Sequence, residues 1–105
     1  MSKLNVIASD AFPGAIAAGA VLVEFGAPWC GPCKTLEPLV VQVGEELGGR
    51  RAVLKGDVDA SQDLAADLGV MSVPTLMLFK DGRKVAARAG TLSRAQLLDF
   101  VQDAL

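Results

Sequence analysis

The chain has no histidine and no tyrosine, only two cysteines and one tryptophan among 105 residues, and a formal net charge of −2. Without histidine there can be no Ser-His or Cys-His nucleophile pair and no imidazole metal ligand. Two cysteines build only half of a tetrahedral zinc site, so a zinc knuckle would need a second chain. No apolar run approaches the length of a membrane span. The small net charge and the scattered basic residues argue against a nucleic-acid or membrane surface. Pairs such as Arg50-Arg51 and Arg83-Lys84 stand beside turn residues, where a solvated loop is the ordinary explanation.

What is present suits a packed core. Half of the chain is apolar and a fifth is charged, which fits one compact domain over residues 1–105 and excludes extended disorder. Met1-Ser2-Lys3 leads into a short mixed run and not into the apolar core of a secretory leader. A cytoplasmic protein is expected. In a reducing compartment a cysteine pair is more readily catalytic or metal-binding than a structural staple.

Periodicity divides the chain into alternating elements. Leu4 to Ile7 reads as a short strand, and Ser9 or Asp10 as the cap of a first helix reaching Ala18, with Gly19 ending it. Ala20 to Gly26 is the strongest strand signal. A long helix from Lys34 to Leu47 shows Leu36, Leu39, Val40, Val43 and Leu47 at helical spacing, contains Pro38 as an expected kink, and stops at Gly48-Gly49. Arg51 to Asp57 reads as a strand and Ser61 to Leu68 as a short helix. Thr75 to Phe79 and Lys84 to Ala89 read as two apolar strands of a hairpin around Asp81-Gly82. Ser93 with Gln96 forms a capping box for a last helix whose core side is Leu97, Leu98 and Val101. The order β-α-β-α-β-α-β-β-α gives an α/β fold. Its mixed central sheet has a parallel core and a C-terminal hairpin, with helices on both faces.

Trp29-Cys30-Gly31-Pro32-Cys33 holds both cysteines at a strand-to-helix junction. Thiols two residues apart can close and open a disulfide within one turn of backbone. A structural disulfide or an inert buried pair is the bland alternative. Just ahead of a helix, unpaired backbone donors and the dipole would stabilise a Cys30 thiolate. Cys33, one turn inside, would be shielded and leave Cys30 the more exposed thiol. Pro32 is compatible with a first helical turn.

Two other residues stand out. Glu24 is an acid on an otherwise apolar strand, which is costly unless it is paired, protonated or at a wet edge. Pro74 could simply end an irregular loop before a strand.

Trp29-Cys30-Gly31-Pro32-Cys33-Lys34, Asp57-Val58-Asp59, Val73-Pro74-Thr75 and Gly90 match, in order and spacing, the pattern of the thioredoxin family, and the resemblance covers essentially the whole chain. It implies a thioredoxin fold and a protein-disulfide reductase with no bound cofactor, no metal and a redox-active Cys30–Cys33 disulfide. Cys30 would attack and Cys33 resolve. The partners implied are an NADPH-dependent thioredoxin reductase and disulfide-containing clients, with the protein itself a monomer. A reductant dedicated to one client, and a binding module using the fold as a scaffold, are the competing functions.

The same resemblance assigns supporting positions. Gly31 and Pro32 shape the loop between the cysteines. Glu24 stands where relatives carry a buried aspartate that exchanges protons with the second cysteine, and Lys55 aligns with the lysine beside that acid. The Val73–Pro74 bond is expected to be cis and to face the cysteines, leaving the Val73 backbone to pair with an extended substrate. Trp29 is a packing residue or a rim contact, and Gly90 completes the substrate-facing set. The chain departs from the pattern at Glu24, one methylene longer than aspartate, and at Gly26, where relatives carry tryptophan. It departs also at Pro28, often polar or acidic, and at Met71, where some carry a basic residue. Loss of the ring at Gly26 is expected to leave space or a different contact near the helix.

Overall fold

Along Ala20–Gly26, alternate side chains go to opposite sides, and both sides are covered. This explains why the segment reads as a nearly continuous apolar run and not as a half-polar alternation. In the computed structural model, which describes residues 5–46 and 52–104, this strand is β2. It is the middle of a five-stranded sheet formed with β1 (Asn5–Val6), β3 (Ala52–Asp57), β4 (Thr75–Lys80) and β5 (Arg83–Ala89), in the order β1-β3-β2-β4-β5. β1, β3 and β2 are parallel, and β4 and β5 are antiparallel additions.

The helices are α1 (Phe12–Ala15), α2 (Gly31–Glu46), α3 (Gln62–Asp67) and α4 (Arg94–Asp103). On one face, Leu22, Leu76 and Leu78 of the sheet are buried with Leu36, Val40 and Val43 of α2 and Leu97 and Val101 of α4. On the other, Val21, Val23, Phe25, Met77 and Phe79 pack with Phe12, Ile16 and Leu64. Phe12 meets Phe79 edge-on, with ring centroids 5.3 Å apart, a favoured aromatic geometry. The expected α/β sheet with helices on both faces is thus the observed one.

Several boundaries differ from the expectation. The first helix is shorter: a 3-10 turn at Ser9–Ala11 precedes α1, which ends at Ala15 and not at Ala18. Neither Ser9 nor Asp10 caps it. Ala8 occupies the cap position of the 3-10 turn, and the Ser9 hydroxyl donates to Asp63 Oδ1 at 2.9 Å. Gly19 has φ +72° and forms a clasp with the hairpin turn, donating to Asp81 Oδ1 and accepting from the Asp81 amide.

α2 begins at Gly31, three residues earlier than its periodicity indicates, because Pro32 lacks an N–H only where the first turn needs none. The helix continues through Pro38 to Glu46. β4 and β5 turn at Asp81-Gly82, both at positive φ, as a two-residue hairpin requires. β5 reads as an apolar strand in the sequence, yet in the fold only Ala86 is half-buried and the rest is exposed. It is an edge strand. The capping box of α4 is present in both directions. Leu4, Leu47, Gly48-Gly49 and Arg50-Arg51 lie outside the described residues.

Candidate active site

The C-terminal end of β2 feeds Ala27 and a short turn into α2, and the two cysteines span that entry. Cys30 stands immediately before the helix. Its sulfur accepts from the backbone N–H of Cys33 at 3.1 Å, in the manner of an N-cap side chain. Cys30 and Cys33 are joined as a disulfide with Cα atoms 5.3 Å apart. Both are covered: Cys33 is 0% exposed and Cys30 only 3%. The exposure expected of the first thiol is therefore slight in the disulfide state. The Cys30 sulfur is drawn inward to the Cys33 amide, and Ala27, Val58 and Val73 close around the pair.

Val73 packs on this cluster, and the Val73–Pro74 peptide is cis. Pro74 is buried, and its carbonyl accepts from the Gly90 amide at 2.8 Å. That bond ties the start of β4 to the residue after β5. Gly90 adopts φ +92°, a conformation open chiefly to glycine. Thr75, also buried, donates from its hydroxyl to the Ser72 carbonyl at 2.7 Å and fixes the loop from the other side. Cys30, Cys33, Val73, Pro74 and Gly90 thus lie at one end of the sheet, while Gly31 and Pro32 form the exposed first turn of α2.

The rim is apolar and open. Trp29 is 69% exposed and Met71 96%. Trp29 is not a packing residue. Its indole N–H donates to Asp59 Oδ2 at 2.7 Å, so the ring is held at the edge by its polar end. Asp59 is itself placed by Asp57, whose Oδ1 accepts from the Asp59 and Ala60 amides. Asp59 was not among the candidate site residues. The sequence signal was its place in Asp57-Val58-Asp59, two acids bracketing an apolar residue just after a strand.

Beneath the disulfide lies Glu24, fully buried, with neither carboxyl oxygen hydrogen-bonded. It is not at a wet edge. Burial, reinforced by the neighbouring Glu37 charge and opposed by Lys55, raises its pKa from 4.5 to about 7. Lys55 is its register partner on β3, but the Lys55 ammonium is 3.0 Å from Glu37 Oε1. Glu37 was not anticipated either, although an acid four residues after Cys33 on an apolar helix face is a visible irregularity.

Gly26 links these parts. A Cβ there would sit 3.0 Å from Glu24 Oε1 and 3.1 Å from Cys33 Sγ, tighter than ordinary contact. Any side chain at 26 would therefore have to displace one of them. The longer glutamate and the second cysteine approach the same point from two sides, and this is the different contact expected there.

No group of three or more metal-ligating side chains occurs among the described residues, and no described helix is long and apolar enough to cross a membrane. A dithiol pair at a helix entry, with a buried ionisable carboxyl behind it, can exchange two electrons with another disulfide and move protons as it does so.

A sequence model of the thioredoxin family matches residues 3–103. The chain is similar to a thioredoxin of Pseudomonas aeruginosa, 45% identical over 79% of this chain and 77% of the relative. It is also similar to thioredoxins of Bacillus subtilis, at 39% over 88% of each chain, and of Chlamydia muridarum, at 42% over 93% and 95%. Likeness of this extent, carried by a chain whose paired cysteines close a disulfide at the mouth of α2, means that it belongs to the thioredoxin family of thiol–disulfide oxidoreductases.

Proposed function

We propose that the protein is a general protein-disulfide reductase of the cytoplasm, acting as a monomeric single domain. Cys30 is the nucleophile and Cys33 the resolving thiol, and an NADPH-dependent thioredoxin reductase restores the dithiol. The observation that carries the order of attack is the backbone N–H of Cys33 directed at Cys30 Sγ at the start of α2. That donor and the helix dipole favour negative charge on Cys30, whereas Cys33 is wholly enclosed.

In the first exchange the Cys30 thiolate forms a bond to one client sulfur. The client S–S bond breaks, and the leaving thiolate takes a proton from water. Cys33 then gives its proton to the Glu24 carboxylate and attacks Cys30 Sγ. The mixed disulfide breaks, the second client thiolate departs, and two electrons have passed to the client. Recharging reverses these steps, with Glu24 returning a proton to Cys33. Trp29, Val73 and the Pro74–Gly90 junction form the surface against which an extended client segment lies, with the Val73 backbone available for strand-like pairing.

Cys33→Ser removes the resolving thiol and should accumulate mixed disulfides. Incubation with a disulfide-containing client, followed by mass mapping, is expected to find the adduct on Cys30. An adduct elsewhere, or none, would sink this order of attack.

A further inference from the structure

α2 buries Cys33, Leu36, Glu37, Val40, Val43 and Gly44, and Glu37 is the one acid in that stripe. It follows Cys33 by four residues, so the two lie on one helix face. From the sheet, Lys55 starts beside Glu24 in register. A lysine so placed has two carboxylates to choose from. Its ammonium is at Glu37, 3.0 Å away, with both side chains mostly covered. Both Glu24 oxygens lack a hydrogen bond.

We propose that Glu37 is a positioning residue for proton transfer at Cys33: its carboxylate holds the Lys55 ammonium on α2 and away from the Glu24 carboxyl. The proposal rests on the reading of Glu24 as the proton partner of Cys33.

Lys55 and Glu37 are opposite charges in contact, and an ionised Glu24 adds a second negative charge beside them. Taking up a proton removes that repulsion. Were Lys55 to bond Glu24 instead, the ammonium would fix the carboxylate form, and Glu24 would no longer gain and lose a proton near neutrality. Among the described residues, the charged and titratable groups facing Glu24 come from β3 and α2. From β3 come Lys55 and Asp57, the latter engaged by the Asp59 and Ala60 amides. From α2 come Cys33 and Glu37. β4 presents Leu76 opposite Glu24, α4 contributes the apolar Leu97 and Val101 to this face, and Arg88 on β5 is exposed. Glu37 is therefore the competing acid for Lys55 within this cluster.

The test is the carboxyl titration of Glu24, followed by 13C NMR on the oxidised, glutamate-labelled full chain, its resonance assigned by loss in Glu24→Gln. In Glu37→Gln, and in Glu37→Ala as a second variant, the Glu24 midpoint should fall by about one pH unit or more as Lys55 turns to it. The pH profile of mixed-disulfide resolution should move with it. Repeated in a Lys55→Met background, the Glu37→Gln change should move the midpoint by less than half as much. An unmoved midpoint in both Glu37 variants overturns the proposal. So does an equal fall with and without Lys55, since Glu37 would then act only as a neighbouring charge. If Glu24→Gln resolved mixed disulfides at the parent rate, the underlying reading of Glu24 would fail instead. The kinetics would record that failure while the titration cycle kept its expected pattern.

Discussion

Glu24 carries the clearest consequence at the scale of a single residue. Below pH 4.5 its carboxyl holds a proton in both the folded and unfolded chain. Between 4.5 and about 7 the folded protein keeps a proton that the unfolded chain has released. Stability contributed through this proton is thus lost as pH rises through that window, by an amount on the order of 3 kcal/mol. Glu24→Gln has no such proton to lose. Urea unfolding at pH 4, 6 and 8 should show the variant gaining on the parent across this range and then levelling off. Parallel profiles would mean that the carboxyl is not buried as described. The cysteine motif was legible in the sequence because Trp29 to Cys33 are consecutive residues between a strand pattern and a helix pattern. The Gly26–Glu24–Cys33 approach and the Lys55–Glu37 pair were not, because they join residues of different elements whose distances no local pattern encodes.

At the scale of elements, legibility followed burial and chain-local chemistry. β2 was readable to its ends, since seven residues with few polar interruptions lie between Gly19 and the Ala27 turn. The α4 cap was readable because Ser93 and Gln96 satisfy each other without help from elsewhere. α1 was overextended because Ala17 and Ala18 favour a helix, while the Gly19–Asp81 clasp, distant in sequence, draws the chain toward β2. The periodic pattern of α2 starts later than the helix because its first apolar repeats follow Cys33, while Gly31 and Pro32 in the first turn carry no apolar signal.

The cap and the neighbouring ion pair make a useful contrast. Ser93→Ala removes the oxygen that accepts from the Gln96 amide and should cost about 1 kcal/mol. Arg94→Ala breaks an exposed pair with Glu46 and should stay within about 0.5 kcal/mol. Denaturant midpoints of the two variants check the ordering.

For the whole molecule, what matters at the reactive end is a small apolar rim on a protein of nearly balanced charge. Met71 and Trp29 are the exposed apolar side chains there, with the Asp59 carboxylate beside the indole. Met71→Glu should raise KM for folded disulfide proteins several-fold, because the rim is where a large partner must lose water. It should leave reduction of a small soluble disulfide and the unfolding midpoint nearly unchanged, since the side chain supports nothing beneath it. Equal losses on large and small substrates would place Met71 in the chemistry and not in recognition.

The opposite flank of the sheet has a different bearing on the protein's life in solution. Among the described residues, β5 leaves one edge of backbone donors and acceptors without a further strand beyond it. That edge carries Arg83, Lys84 and Arg88, and its pairing with β4 is irregular at Leu78/Phe79. Two copies meeting edge to edge would bring like charges together along a bent strand. The hairpin that completes the sheet therefore also carries the charges that oppose edge-to-edge pairing of two copies through β5.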